Sequence, residues 1–223
     1  MTASGTTRRL RLTPSLLSAD FTRLAEDIRV VEEAGASGLH LDVMDGCYVP
    51  NLTFGPMVIE AARRSTSLPL DAHLMIERPD RSLAAYAEAG ADAIAFHPET
   101  VPHLHKTLSD LRALGVRPGL AINPLTPLAT LEEAIAASDY VIVMSVNPGW
   151  GGQKFIEGSW ERVRRVREIA DRWNRDLEIV VDGGMNPTRV EAARAAGADT
   201  LVAGSAVFGA ADPGAVVRAM VRG

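Results

Sequence analysis

Cysteine, lysine and long apolar runs are what this chain has least of, and each shortage removes a class of explanation. Cys47 is the single cysteine, so no internal disulfide can form, and the chain suits a reducing cytoplasm. Lysine occurs twice among the 23 basic residues. Lys106 falls in a helical segment and Lys154 follows a glycine-rich loop, so neither is well placed for a Schiff-base mechanism. No apolar run approaches the roughly 20 residues of a membrane-spanning helix, so no membrane partner is expected. A positive surplus is missing too. The net charge of -5 argues against nucleic acid, whose phosphate backbone wants a basic surface. The opening stretch MTASGTTRRLRL lacks the apolar core of a secretory leader. It reads as a short polar tail over residues 1–9, ahead of one domain over residues 10–223.

What is present is a repeated alternation. Short apolar runs, expected as strands over residues 12–19, 38–44, 70–75, 93–97, 117–122, 140–145, 178–182 and 200–203, alternate with amphipathic helical segments. Asp20 is a candidate cap for the first helix, and Gly35 its stop. The junction echoes: Glu33-Ala34-Gly35-Ala36, Glu88-Ala89-Gly90-Ala91 and Ala195-Ala196-Gly197-Ala198 each close a helix and open a strand. Eight βα units with strands apolar on both faces point to a single closed (β/α)8 TIM barrel. An open doubly wound sheet is the alternative. A length of 223 residues suits one such barrel.

The working face of a barrel is the carboxyl end of its strands. Polar residues there include Ser15, His40, Asp42, His73, His97, Asn123, Ser145, Asp182 and Ser205. In His40-Leu41-Asp42-Val43-Met44-Asp45-Gly46, residues 40, 42 and 44 share a face. Burying an imidazole and a carboxylate there without partners would cost several kcal/mol, roughly 2–7 for a neutral polar group. A divalent metal repays that cost. Asp71-Ala72-His73 repeats the spacing on the next strand, and Asp182 closes the seventh. His40, Asp42, His73 and Asp182 make a mixed N/O set that suits one Zn2+, Fe2+, Mn2+ or Co2+ per chain. A lone buried histidine is more often structural; four such groups at the same strand ends reverse that expectation. Asp71 lies one layer deeper and is expected to orient a ligand. Met44, Met75 and Met144 either pack the core or form an apolar wall that dehydrates the site. Three glycine-rich strand exits, Gly149 to Gly152, Gly183-Gly184 and Gly204-Ser205, suggest a phosphate cradle.

These stretches together resemble the ribulose-5-phosphate 3-epimerases. The likeness runs from Pro14-Ser15-Leu16-Leu17-Ser18-Ala19-Asp20 to Val202-Ala203-Gly204-Ser205-Ala206-Val207-Phe208, through HLDVMDG, DAHLM, FHPE, AINP, VMSVNPGWGGQKF and VDGG. The resemblance implies a metal-dependent epimerase of the pentose phosphate pathway that interconverts D-ribulose 5-phosphate and D-xylulose 5-phosphate. It implies metal ligation by His40, Asp42, His73 and Asp182, with Asp42 and Asp182 as the acid/base pair. Ser15, His73, Gly149, Trp150, Gly151, Gly152, Asp182, Gly183, Gly184, Gly204 and Ser205 are its implied substrate contacts. A homo-oligomer with a small ketose phosphate as its partner is expected. Cys47-Tyr48, Ser145 and Trp150 depart from the family's common His-Phe, Thr and Phe. The nearest competing reading is an epimerase of allulose 6-phosphate. A metal-free lyase is disfavoured by the missing barrel lysine, and a non-catalytic phosphosugar binder would not need two His and two Asp.

Overall fold

Every strand alternates, and the alternation sorts its side chains into two cores. The computed structural model describes residues 10–222, so the expected tail over 1–9 lies outside the described residues. The strands are β1 (Arg11–Pro14), β2 (Leu39–Met44), β3 (Leu70–Met75), β4 (Ala93–Phe96), β5 (Arg117–Ile122), β6 (Tyr140–Met144), β7 (Glu178–Asp182) and β8 (Thr200–Ala203). All neighbouring pairs are parallel, in the order β1-β8-β7-β6-β5-β4-β3-β2, and a bridge between Ser15 and His40 closes the ring. This is the (β/α)8 barrel expected from the sequence. On β4, Ile94 and Phe96 face the helices, while Ala93 and Ala95 join Ala121, Ile142, Val180 and Val202 inside the barrel.

The helices are α1 (Leu24–Glu33), α2 (Pro56–Ser65), α3 (Leu83–Glu88), α4 (Leu104–Ala113), α5 (Glu132–Ala137), α6 (Ser159–Trp173), α7 (Val190–Ala196), α8 (Ser205–Phe208) and α9 (Pro213–Arg222). Each buries one stripe. In α6 it is Val163, Val166, Ile169 and Ala170, spaced to fall on one side of the helix. Each valine or isoleucine of such a stripe contributes roughly 1.5–3 kcal/mol on full burial. The three echoed junctions behave alike: Gly35, Gly90 and Gly197 have φ of 100°, 104° and 95°. That left-handed conformation lets the chain leave a helix and start a strand at once.

The first strand is shorter than its apolar run suggests. Pro14 has no N–H to give the ladder, and after it the chain turns into a 3-10 helix, Leu16–Ser18, capped by the Ser15 hydroxyl. Asp20 caps a second short 3-10 turn, Phe21–Arg23, that leads into α1, and does not cap α1 itself. The fourth and sixth strands each end one residue early, at Phe96 and Met144.

Candidate active site

Strand register builds the centre. Pairing of β2 with β3 sets His40 beside Asp71 and Asp42 beside His73. Asp182, at the end of β7, pairs with Met144 and Val202 and points into the same space. His40 Nε2 lies 3.4 Å from Asp42 Oδ1 and 3.9 Å from Asp182 Oδ2. His73 Nδ1 lies 3.1 Å from Asp42 Oδ1 and 3.8 Å from Asp182 Oδ2. One ligand atom from each of the four residues falls within 4.8 Å of all the others. Ligands held about 2.0–2.2 Å from one ion stand roughly 3.0–3.6 Å apart along the edges of its coordination shell. The residues therefore fit a divalent cation. The outer atoms agree: His40 Nδ1 is engaged by Asp71 Oδ2 at 2.9 Å, and its Nε2 is buried without a hydrogen-bond partner. His73 Nε2 meets His97 Nε2 at 3.0 Å, which leaves Nδ1 turned to the cluster.

The two carboxylates are in different electrostatic situations. Burial alone would push Asp42 up, but His40 and His73 outweigh it and hold the carboxyl well below the usual range. Its Oδ2 also accepts from the Ser15 hydroxyl at 2.6 Å. Burial and then the Asp42 charge raise Asp182 to about 6. Burial opposes charge on His40 as well, yet Asp42 and Asp71 raise it well above the ordinary imidazole value. Burial, followed by His73, drives His97 down. At neutral pH, with no cation to counter these fields, one carboxylate is firmly ionised and the other stands near its titration point.

Above the cluster opens a cavity. Ser15, Asp42 and Asp182 form its floor, Met44, Met75 and Met144 an apolar wall, and Gly149 to Gly152, Gly183-Gly184 and Gly204-Ser205 its rim. The methionines pack into the core, at 1–3% exposed, and also line the cavity. His40 and His73 are fully buried behind this lining, and Trp150 is half exposed on the rim. Gly183 is there for steric reasons: its φ is 115°, and a Cβ would stand 2.5 Å from Val146 Cγ2. The Ser145 hydroxyl donates to the Asp182 and Gly183 carbonyls, both at 2.7 Å, and so pins this exit. Gln153 Nε2 ties the glycine loop by donating to the carbonyls of Asn147 and Trp150.

Asp45, eligible by composition, is loop structure: Oδ1 accepts from the Cys47 and Tyr48 N–H groups and Oδ2 from that of Glu77. His97 stands behind His73, and Asn123 lies apart from the cluster, where its Nδ2 donates to Tyr48 Oη and Glu99 Oε1. Leu17, Ser18, Val146, Gln153, Met185 and Val202 also line the cavity and escape the sequence reading of the site, Ser18 for a reason the structure shows. In a strand Ser15 and Ser18 would face opposite ways; in the 3-10 turn, with three residues per turn, both reach the cavity. The i, i+3 serine spacing in Ser15-Leu16-Leu17-Ser18 was the available signal.

Fold and site define a (β/α)8 barrel whose carboxyl-terminal mouth carries two histidines and two aspartates able to hold a divalent cation beneath a glycine rim. The sequence profile of the ribulose-phosphate 3 epimerase family matches residues 11–208, and the chain belongs to that family of isomerases. It is 48% identical to a ribulose-phosphate 3-epimerase of Bacillus subtilis (strain 168) over 204 residues, 91% of this chain and 94% of that one. It is 48% identical over 215 residues to ribulose-phosphate 3-epimerase 1 of Cupriavidus necator, covering 95% and 89% of the two chains. A solved 3-hexulose-6-phosphate synthase superposes with a TM-score of 0.70 over 96% of this chain and 98% of that one. At 20% identity that likeness shows the fold alone.

Proposed function

We propose that the enzyme interconverts D-ribulose 5-phosphate and D-xylulose 5-phosphate by inverting C3, as its relatives' names suggest. The observation that carries the mechanism is the meeting of two carboxylates from β2 and β7 in one buried focus, with opposite protonation tendencies. Inversion at a carbon next to a ketone needs a proton removed on one face and another delivered on the opposite face. Asp42 and Asp182 take these two roles and exchange them when the direction reverses. A divalent cation held by His40, Asp42, His73 and Asp182 supplies Lewis-acid stabilisation of the negative charge developed on the substrate's oxygens. Ser15 holds Asp42 in place through its hydroxyl. The methionine wall keeps bulk water from the reacting carbon, which strengthens each charge interaction there.

The phosphate sits against the backbone amides of Gly183-Gly184 and Gly204-Ser205 and the loop from Gly149 to Gly152, where the absence of side chains lets an anion approach. Trp150 closes over the bound sugar as that loop moves. The chain works in the cytoplasm as a homo-oligomer, without nucleic-acid or membrane partners. No described helix is long and apolar enough to cross a membrane. Exposed Phe21, Leu52 and Met57, all on loops or helix starts beside the mouth, are surface a second copy would cover, and sedimentation velocity reads that state.

The deciding experiment incubates the enzyme with each ketose phosphate in D2O and follows C3 by NMR. Deuterium entering C3 together with epimerisation of the pentulose phosphate is the expected result. Epimerisation without solvent deuterium, or turnover of allulose 6-phosphate alone, defeats this reading.

A further inference from the structure

Asp71 on β3 serves two partners with its two oxygens. Oδ2 accepts from His40 Nδ1 at 2.9 Å, and Oδ1 accepts from Tyr140 Oη at 2.5 Å. Tyr140 reaches it from β6, with β4 and β5 lying between in the barrel order. Its ring crosses the interior because those strands present almost no side chain there. Ala93 lines the route from β4, and Gly119 pairs directly with Tyr140 from β5. A Cβ on Gly119 would stand 2.3 Å from Tyr140 Cζ, a contact no fixed ring could accept. The space beneath the cluster is thus shaped to let one phenol through, and the phenol ends on a carboxylate. Burial and the Asp71 charge raise Tyr140 far above the ordinary phenol range, so its Oη remains a donor.

Asp71 needs such a restraint. Its side chain borders a chamber at the amino-terminal mouth, shared with Arg11, Arg117 and Glu178. A carboxylate free to turn toward those arginines or toward water would release His40 Nδ1–H. The imidazole would then lose the acceptor that fixes its tautomer and leaves Nε2 bare for a cation.

We propose that Tyr140 is a positioning residue for the cation site: its hydroxyl locks Asp71, and Asp71 locks the ring of His40 with Nε2 aimed at Asp42 and Asp182. This rests on the reading that His40, Asp42, His73 and Asp182 hold a divalent cation. The rival role is packing, in which the ring fills space and the hydroxyl is incidental. Tyr140→Phe separates the two, because it keeps the ring and removes only the donor.

The test measures Zn2+ affinity by competition with a chromogenic chelator for the wild type, Tyr140→Phe, Asp71→Asn, their double variant and Thr13→Val. Thr13 lines the same chamber outside this relay. Melting of the cation-free proteins is followed in parallel. Tyr140→Phe is expected to weaken Zn2+ binding about 10-fold, and Asp71→Asn about 10–100-fold, the range for groups that orient a metal ligand. The double variant should bind no worse than Asp71→Asn alone, since both act through one carboxylate. Thr13→Val should stay within about twofold of wild type. At saturating Zn2+, kcat of Tyr140→Phe should recover to near the wild-type value. Affinity of Tyr140→Phe within twofold of wild type, whatever its melting point, overturns the proposal and leaves packing. So does full additivity in the double variant. A wild-type chain that takes up no Zn2+ overturns the cation reading itself, and this inference with it.

Discussion

At the amino-terminal mouth of the barrel Glu178 accepts from Thr200 at 2.6 Å and meets Arg11 and Arg117, each at 2.8 Å. At the carboxyl-terminal mouth Asp42 and Asp182 converge with two imidazoles, and His40 Nε2 is left bare. Both ends bury charge in the same scaffold. At one end the charges satisfy each other, which closes the structure. At the other, two carboxylates and two imidazoles are packed together with one imidazole nitrogen left bare, an arrangement that a bound cation would relieve. A bare imidazole nitrogen among converging carboxylates therefore marks the working end better than charge itself does.

The contrast can be broken from either side. The largest effect is expected at the working end. Asp42→Asn and Asp182→Asn should each lower kcat about 10^2–10^4-fold, the range for a positioned acid or base, with circular dichroism unchanged. Near-normal turnover in either variant ends the two-carboxylate scheme. Removing the cation by exhaustive chelation, verified by elemental analysis, should lower turnover at least about 100-fold, with recovery on adding back Zn2+, Mn2+, Fe2+ or Co2+. At the satisfied end, Glu178→Gln should cost roughly 1–3 kcal/mol of stability in denaturant unfolding, since its arginine partners are half exposed and partly screened. Its kcat should stay within about twofold of wild type; a large loss there would erase the division between the two ends.

The smallest effect sharpens the contrast through pH. Asp182, raised to about 6, must release its proton before it can ligate. His40, raised well above the ordinary imidazole value, must give up a proton too, so cation affinity should fall by up to about tenfold per unit below pH 6 and keep rising with pH above it. In chelator the sign is the reverse for folding. A carboxyl raised in the folded state favours that state below the ordinary carboxylate value, and the benefit is lost as pH rises through about 6. The raised His40 acts in the same sense above the ordinary imidazole value. The cation-free protein should thus melt lower at pH 8 than at pH 6, and bound cation should flatten that slope.

Most of the barrel was legible because its signals are local. Short apolar runs between amphipathic segments located the strands, and the helix-ending glycines fixed three junctions to the residue. The cation cluster was legible for a related reason: i, i+2 spacing at strand ends, repeated on adjacent strands, leaves little freedom in where His40, Asp42 and His73 meet. The run from Leu12 to Ala19 misled because apolar residues suit a strand and a 3-10 turn equally, and only the hydrogen bonds of Ser15 distinguish them. Tyr140 was illegible in its role. Its partner stands three strands away, its own strand reads as plain core, and Gly119 reveals its purpose only when the ring is seen against it. Contacts across the inside of a barrel leave no periodic trace in one sequence.

The bridge between Ser15 and His40 has a mechanical consequence. Among the described residues, seven of the eight strand junctions are ladders, whereas β1 and β2 are joined by that one bridge. The barrel therefore has a seam, and it runs through the residues that hold Asp42 and the bare His40 nitrogen. A cation bound there would work as a clasp, drawing β2 toward β7 across the weakest join of the cylinder. Loading it should slow amide exchange in β1 and β2 more than in β4 and β5, so that an ion bound there would also keep the barrel shut.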